Sequence, residues 1–388
     1  MATQRAPLPE SCSVLLDVIR FSAALLVVIA HLSRPEFSVV TTRDLQFLGD
    51  LAVPIFFVLS GFVIRFVTVS REHTLRAYLI DRASRIYSVA LPAMALTLAV
   101  TTFVLLANPR YAAETITPVL NHPLIRIAAN LTFVSQIWGF NTVQFVNSPF
   151  WSLSYECLFY IAYGLFFYLR GARRMAALIL WASISGPQIL FLFPLWLLGC
   201  ALYDVYQQVR VKLVATVLRR LTLLYAIAAL ALAAIGHTSL LLAPVHLDRI
   251  IATLPSPLTF LHQGSIRATM LAIANGTVAA AVMFLLLLLS DLVPLARHHP
   301  FARRFRRLAD GTFAIYLMHY PLMILARSLN LLRPHFPLLD TVTMTVVVLS
   351  LIAIAAPLER LKSALRGTLH KVRFRQRTPA PQPVHTLP

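Results

Sequence analysis

The sequence predicts an all-α membrane protein, a bundle of about ten transmembrane helices with both termini in the cytoplasm. Three observations carry this. Of 388 residues, 58% are hydrophobic and only 13% charged, too little charge to cover a soluble domain. Apolar stretches of near-spanning length recur along the whole chain. Lys and Arg also alternate in density between successive connections, 24 on one side and 8 on the other, a bias that orients a helical bundle with its N-terminus inside.

The apolar stretches fall at 13–33, 48–69, 86–107, 152–170, 174–187, 189–206, 221–242, 267–290, 311–331 and 338–357. The first holds Asp17 and Arg20 and lacks a small-residue cleavage site, so it reads as a retained helix rather than a signal peptide. The fifth is short and ends in Gly186-Pro187, so the fifth and sixth also read as a broken or re-entrant pair. The longest outer connection, 108–150, contains an apolar, Trp-bearing piece from Leu124 to Phe140 that suits an interfacial or re-entrant element. Residues 1–360 form one membrane domain. Residues 361–388 form a basic, then Pro-rich, cytoplasmic tail. No internal repeat or appended soluble domain is visible. The net charge of +19 fits positive loops against anionic lipid headgroups; no nucleic-acid-binding motif accompanies it. Cys12, Cys157 and Cys200 are scattered, which argues against a disulfide framework or a metal site.

Polar residues inside apolar helices are costly, about 2.5–3.5 kcal/mol for a central charge on insertion scales, so their placement is informative. Arg20 and His31 lie eleven positions apart, nearly on one helical face and about 16 Å apart along the axis; Asp17 shares that face. A structural reading pairs Asp17 with Arg20 between helices and leaves His31 as an interfacial cap. Arg82 and Arg85, three apart in Asp81-Arg82-Ala-Ser-Arg85, suit a phosphate or pyrophosphate, though an ordinary positive-inside anchor explains them as well. In Trp151-Ser152-Leu-Ser154-Tyr-Glu156, Glu156 falls about one turn inside the outer face. That is the depth expected for His31, as a His-based proton-transfer site requires. The alternative is a helix-dipole glutamate with serine caps. Ser60-Gly61 reads first as close helix packing. His319, in Tyr316-Leu-Met-His319, reads equally as a packing or a catalytic group. No serine sits in a nucleophile-elbow setting, and no phosphate-binding Gly loop or metal-ligand cluster is present.

Together these stretches resemble acyltransferase family three, the bacterial integral-membrane O-acyltransferases that modify sugars. The resemblance rests on Arg20-x10-His31, on Phe-Phe-x-x-Ser-Gly-Phe ending at Phe62, and on Arg82-x-x-Arg85. It also rests on Trp-Ser-Leu-Ser-x-Glu-x-x-Phe-Tyr from Trp151 to Tyr160, on Ile-Tyr-Leu-x-His-Tyr-Pro from Ile315 to Pro321, and on Pro357-Leu-Glu359-Arg360. One departure is Cys157, where a second carboxylate often follows the motif glutamate.

The resemblance implies an enzyme of the bacterial inner membrane. Its co-substrate is acyl-CoA, acetyl-CoA by default, with no tightly bound cofactor and no metal. Its acceptor is a hydroxyl on a glycan, a lipid-linked sugar or a sugar-bearing small molecule. In the mechanism so implied, Arg82 and Arg85 hold the CoA phosphates and the pantetheine arm passes Arg20. His31 acts as general base with Glu156 orienting it or stabilising its charged form, a covalent acyl-His step being the variant, and Asp17, Ser60, Trp151, Ser152, Tyr316 and His319 complete the lining. A transporter or flippase of a lipid-linked sugar is the rival reading; it leaves the Arg82/Arg85 and Trp151–Tyr160 motifs unexplained.

Overall fold

The structure, a computed structural model, describes residues 8–34, 36–37, 43–71, 74–142, 145–212, 263–291, 299–332 and 337–371. The predicted span 221–242 and the end of the tail lie outside them. The described residues are helical throughout, with no β-sheet.

Helix α1 (Glu10–Leu32) starts after Pro9 and carries an acid in its first turn, a favourable place against the helix dipole. Helix α2 (Arg43–Arg71) follows, then α3 (Leu75–Ala107), whose first turn is closed by the Thr74 hydroxyl accepting the Ala77 N–H at 3.2 Å. Such a cap fixes the starting residue. At 33 residues, α3 is about 50 Å long, well beyond a hydrocarbon core of about 30 Å. The predicted stretch 86–107 is only its apolar part, and Asp81, Arg82 and Arg85 belong to the same rigid helix.

The long connection after α3 is structured. It holds α4 (Pro109–Thr115) and α5 (Pro123–Leu131), and a 3₁₀ turn at Ser148–Phe150 leads into α6 (Trp151–Tyr168). Helices α7 (Gly171–Ser185) and α8 (Pro187–Lys212) are separated by Gly186 alone. Its φ of +81° suits glycine, and a Cβ there would lie 2.8 Å from the backbone nitrogen of Trp138. The break expected between the fifth and sixth stretches is this one residue.

Beyond these lie α9 (Gln263–Ser290), α10 (Pro300–Asp310), α11 (Thr312–Ser328), α12 (Pro337–Ala353) and α13 (Ala355–Lys371). Helices α10 and α11 meet at 42°. The boundary expected at residue 360 falls inside α13, which packs along α3. There Arg366 Nε lies 2.7 Å from Asp81 Oδ1 and Arg366 Nη2 bonds Asp81 Oδ2 at 3.0 Å. Residues 361–371 continue this helix, with Leu361, Lys362, Leu365 and Leu369 partly buried.

Six stretches of described helix are long and apolar enough to cross a membrane, and a seventh if α10 and α11 form one bent span. Helix α6 is not among them. Its serines, tyrosines and Glu156 lower its apolarity.

Helix α2 is the centre of the packing, against α1, α8 and α9. Its contact with α8 depends on two glycines facing each other. A Cβ on Gly61 would run into the carbonyl oxygen of Trp196, and one on Gly199 into that of Val58. Close packing, the first reading of Ser60-Gly61, is what the backbone has. Valine at Gly61 must push the helices apart, and overpacking of this kind costs about 1–3 kcal/mol. The detergent-solubilised Gly61→Val protein should melt below wild type; equal melting temperatures would contradict this account of the α2–α8 contact.

Candidate active site

Three cavities follow one another through the bundle and share walls. The first, of about 210 Å³, lies toward the end that holds the α1 N-terminus, here called the proximal end. Asp17 and Arg20 of α1, Arg85 and Ser88 of α3, and Glu359 and Lys362 of α13 line it. The second is narrow, about 80 Å³, and lies among Arg20, Ser60, Arg85, Ser152, Glu156 and Tyr160, with apolar walls from Phe56, Phe57 and Phe313. Arg20, Arg85, Thr312 and Phe313 border both. The third, of about 460 Å³, lies toward the opposite, distal end against His31, Arg34, Asp50, Trp151 and Gln188. Val53, Phe57 and Tyr316 separate it from the second. Helix α1 thus borders all three, through Asp17, Arg20 and His31 in succession.

At the distal end, His31 Nδ1 is 3.0 Å from Nε2 of His319, which is completely buried. Nδ1 of His319 is 2.8 Å from the carbonyl oxygen of Ile315 one turn back. A carbonyl only accepts, so His319 Nδ1 carries the proton and the neutral ring presents Nε2 as an acceptor. His31 Nδ1–H then donates to it. This hydrogen-bond logic assigns the tautomers and leaves Nε2 of His31 with its lone pair available. Tyr320 packs edge-on against the His31 ring at 5.0 Å between centroids, and Arg34 Nη1 donates to the Tyr320 hydroxyl at 3.3 Å.

In the narrow cavity, Glu156 accepts from the Tyr160 hydroxyl and from Ser60 Oγ at 3.4 Å, and Trp196 Nε1 donates to Ser60 Oγ at 3.2 Å. Ser152 donates to the carbonyl of Pro149 at 3.1 Å, so its single proton is used. Tyr316 must therefore donate to Ser152 across 2.7 Å. That bond holds the tyrosine at the partition between the second and third cavities.

Helix α1 keeps Asp17 and Arg20 together, with Arg20 Nη1 at 3.2 Å from Asp17 Oδ1.

Two sequence expectations change here. Glu156 was expected at the level of His31, but His319 is the neighbour of His31 and Glu156 sits in the narrow cavity with Arg20. The cause is the start of α6. The turn at 148–150 already lies inside the bundle, with Ser148, Pro149 and Trp151 in the wall of the His31 cavity. Glu156 is five residues, about 7.5 Å, further along the helix. Of the arginine pair, Arg85 lines the cavities, whereas Arg82 is buried with its guanidinium 5.5 Å from the ring centre of Tyr78. Ser60, Ser152 and Tyr316 are in the lining as expected. Arg34, Asp50, Tyr160 and Lys362 join it unannounced. Among the described residues, no three His, Cys, Asp or Glu side chains converge as a metal site would.

A hydrogen-bonded histidine pair, His319 buried and His31 half-buried, lies at the end of a charged passage between apolar helices, an arrangement of a polytopic membrane protein. A family model described as an acyltransferase domain matches residues 14–358. The chain belongs to that family, acyltransferase family three. It is also similar to acyltransferase MdmB of Streptomyces mycarofaciens, with 30% identity over 173 residues, 43% of this chain and 42% of that protein. The similarity thus spans less than half the length of this relative. No solved structure matches the chain.

Proposed function

We propose that the protein transfers a short acyl group from acyl-CoA to a hydroxyl of a cell-envelope or exported glycan, with His31 as general base. The observation that carries this is the sequence of three wall-sharing cavities ending at a histidine whose free nitrogen is set by its neighbour. In this reading the CoA phosphates stay at the proximal cavity beside Arg85. The pantetheine arm occupies the narrow cavity past Arg20, about 16 Å of helix axis from His31. The acceptor enters the distal cavity, where Asp50, Arg34 and Gln188 offer hydrogen bonds and Trp151 offers an aromatic face for a sugar.

In the reaction, His31 Nε2 takes the proton of the acceptor hydroxyl as its oxygen attacks the thioester carbonyl. The C–S bond then breaks, and the CoA thiolate takes the proton back from the imidazolium. His319 keeps His31 Nδ1 engaged throughout. Glu156, Ser60 and Tyr160 act in this scheme on the arm and on Arg20 rather than on His31. Thioester-to-ester transfer is chemically undemanding, so positioning supplies much of the rate.

The wider reading is a bacterial inner-membrane protein of ten spans with both termini in the cytoplasm. The bias of basic residues supports it, and so does the apolar stretch 221–242, which would make up the even number. It implies that acyl-CoA arrives from the cytoplasm and the acceptor from the other face. The test uses membranes containing the protein, acetyl-CoA and candidate glycans. Thiol release that depends on the acceptor, with an acetyl mass gain on the glycan, is expected. Thiol release without any acceptor product, or glycan movement across the membrane without acetylation, would overturn it.

A further inference from the structure

The proximal cavity has a wall that the acyltransferase mechanism above does not use. Helix α13 reaches it at a place where two helix breaks coincide. Gly311, between α10 and α11, packs on Ile352, close to the break between α12 and α13; a Cβ on Gly311 would lie 2.9 Å from the Ile352 Cα. The two breaks leave a gap at the proximal end, and the cavity of about 210 Å³ occupies it. Three cations and three acids line it: Arg20, Arg85, Lys362, Asp17, Asp310 and Glu359.

These charges are not equally committed. Asp17 is bound by Arg20 at 3.2 Å. Lys362 pairs with Glu359 at 2.7 Å, but the two side chains are 35% and 50% exposed. An ion pair that open is weakly held, so another anion can take the ammonium. Arg85 pairs with no carboxylate among the described residues. Arg85 feels Asp17 across the cavity but makes no direct ion pair with it, and such a guanidinium beside a loosely held ammonium can take an anion. Helix α13 packs along α3, so the place of Lys362 is set by the fold.

We propose that α13 supplies Lys362 as a third cation, beside Arg20 and Arg85, for the diphosphate of a nucleotide thioester bound in this cavity. Glu359 holds the lysine while the cavity is empty and releases it when phosphate arrives. This rests on acyl-CoA being the donor.

The test is calorimetric titration of the full chain in phosphatidylcholine nanodiscs with CoA and, separately, with inorganic pyrophosphate. Lys362→Met keeps the apolar stem and removes the charge. It should weaken CoA about tenfold, as loss of a charged hydrogen bond does, while Lys362→Arg stays near wild type and Glu359→Gln binds at least as well. Tight CoA binding that Lys362→Met leaves unchanged overturns the proposal and leaves the donor reading standing. Lys362-dependent pyrophosphate binding with no binding of CoA keeps the phosphate site and overturns the donor reading.

Discussion

His31→Ala is expected to lower acyl transfer by about 10²–10⁴-fold, the range for a positioned general base, with CoA affinity unchanged. The two halves of that statement come from separate parts of the passage. His31 borders only the distal cavity, whereas Arg20 and Arg85 border the proximal and narrow ones. A substitution at the distal end therefore removes the proton acceptor and leaves the anion site intact. The ring is half-buried, so alanine leaves a void that opens into an existing cavity rather than a closed core, and the fold should survive it. Acceptor-dependent thiol release and CoA titration on the same preparation separate the two effects. Wild-type transfer by His31→Ala would show that another group takes the proton. A parallel loss of CoA binding would show that the cavities are not independent.

Much of this arrangement was legible in the sequence. The helical period alone puts Asp17, Arg20 and His31 on one face of α1, and the structure lines three cavities with that face. What period cannot supply is the neighbour across the gap. His31 and His319 are 288 positions apart, and no local pattern links them. The apolar pattern starts α6 at the membrane face and so pairs Glu156 with His31, whereas the 3₁₀ turn before it already lines the His31 cavity and Glu156 falls in the narrow one. Lys362 was missed for a different reason. The apolar run thins out after Pro357, and charge alone made the rest look like a tail. Yet Leu358, Leu361, Leu365 and Leu369 recur at helical spacing, and all four are partly buried on the inner face of α13. That amphipathic stripe was a readable sign of a packed helix.

The second large effect concerns His319, a positioning residue that meets His31 and no substrate atom in this scheme. Its Nε2 is useful only as an acceptor. Leucine of similar bulk would take away the acceptor that His319 offers to His31 Nδ1–H and leave the ring only its hydrogen bond to the backbone of Val27 on its own helix. The imidazole could then recover a partner by exchanging tautomers or turning, and either change takes the lone pair away from the acceptor hydroxyl. Loss of a buried hydrogen-bond partner costs about 1–3 kcal/mol, which is about 5- to 150-fold if it falls on the transition state. His319→Leu should show that fall in kcat with little change in KM for either substrate. Glutamine can place an amide oxygen near the position of the lost Nε2, so His319→Gln should recover a large part of the rate. A purely structural histidine would give a different result, with both variants losing thermal stability and rate together. If both melt like wild type and both stay inactive, an amide acceptor is not enough. The imidazole of His319 would then have to move a proton itself, making the pair a two-histidine relay with His31 as its exposed end.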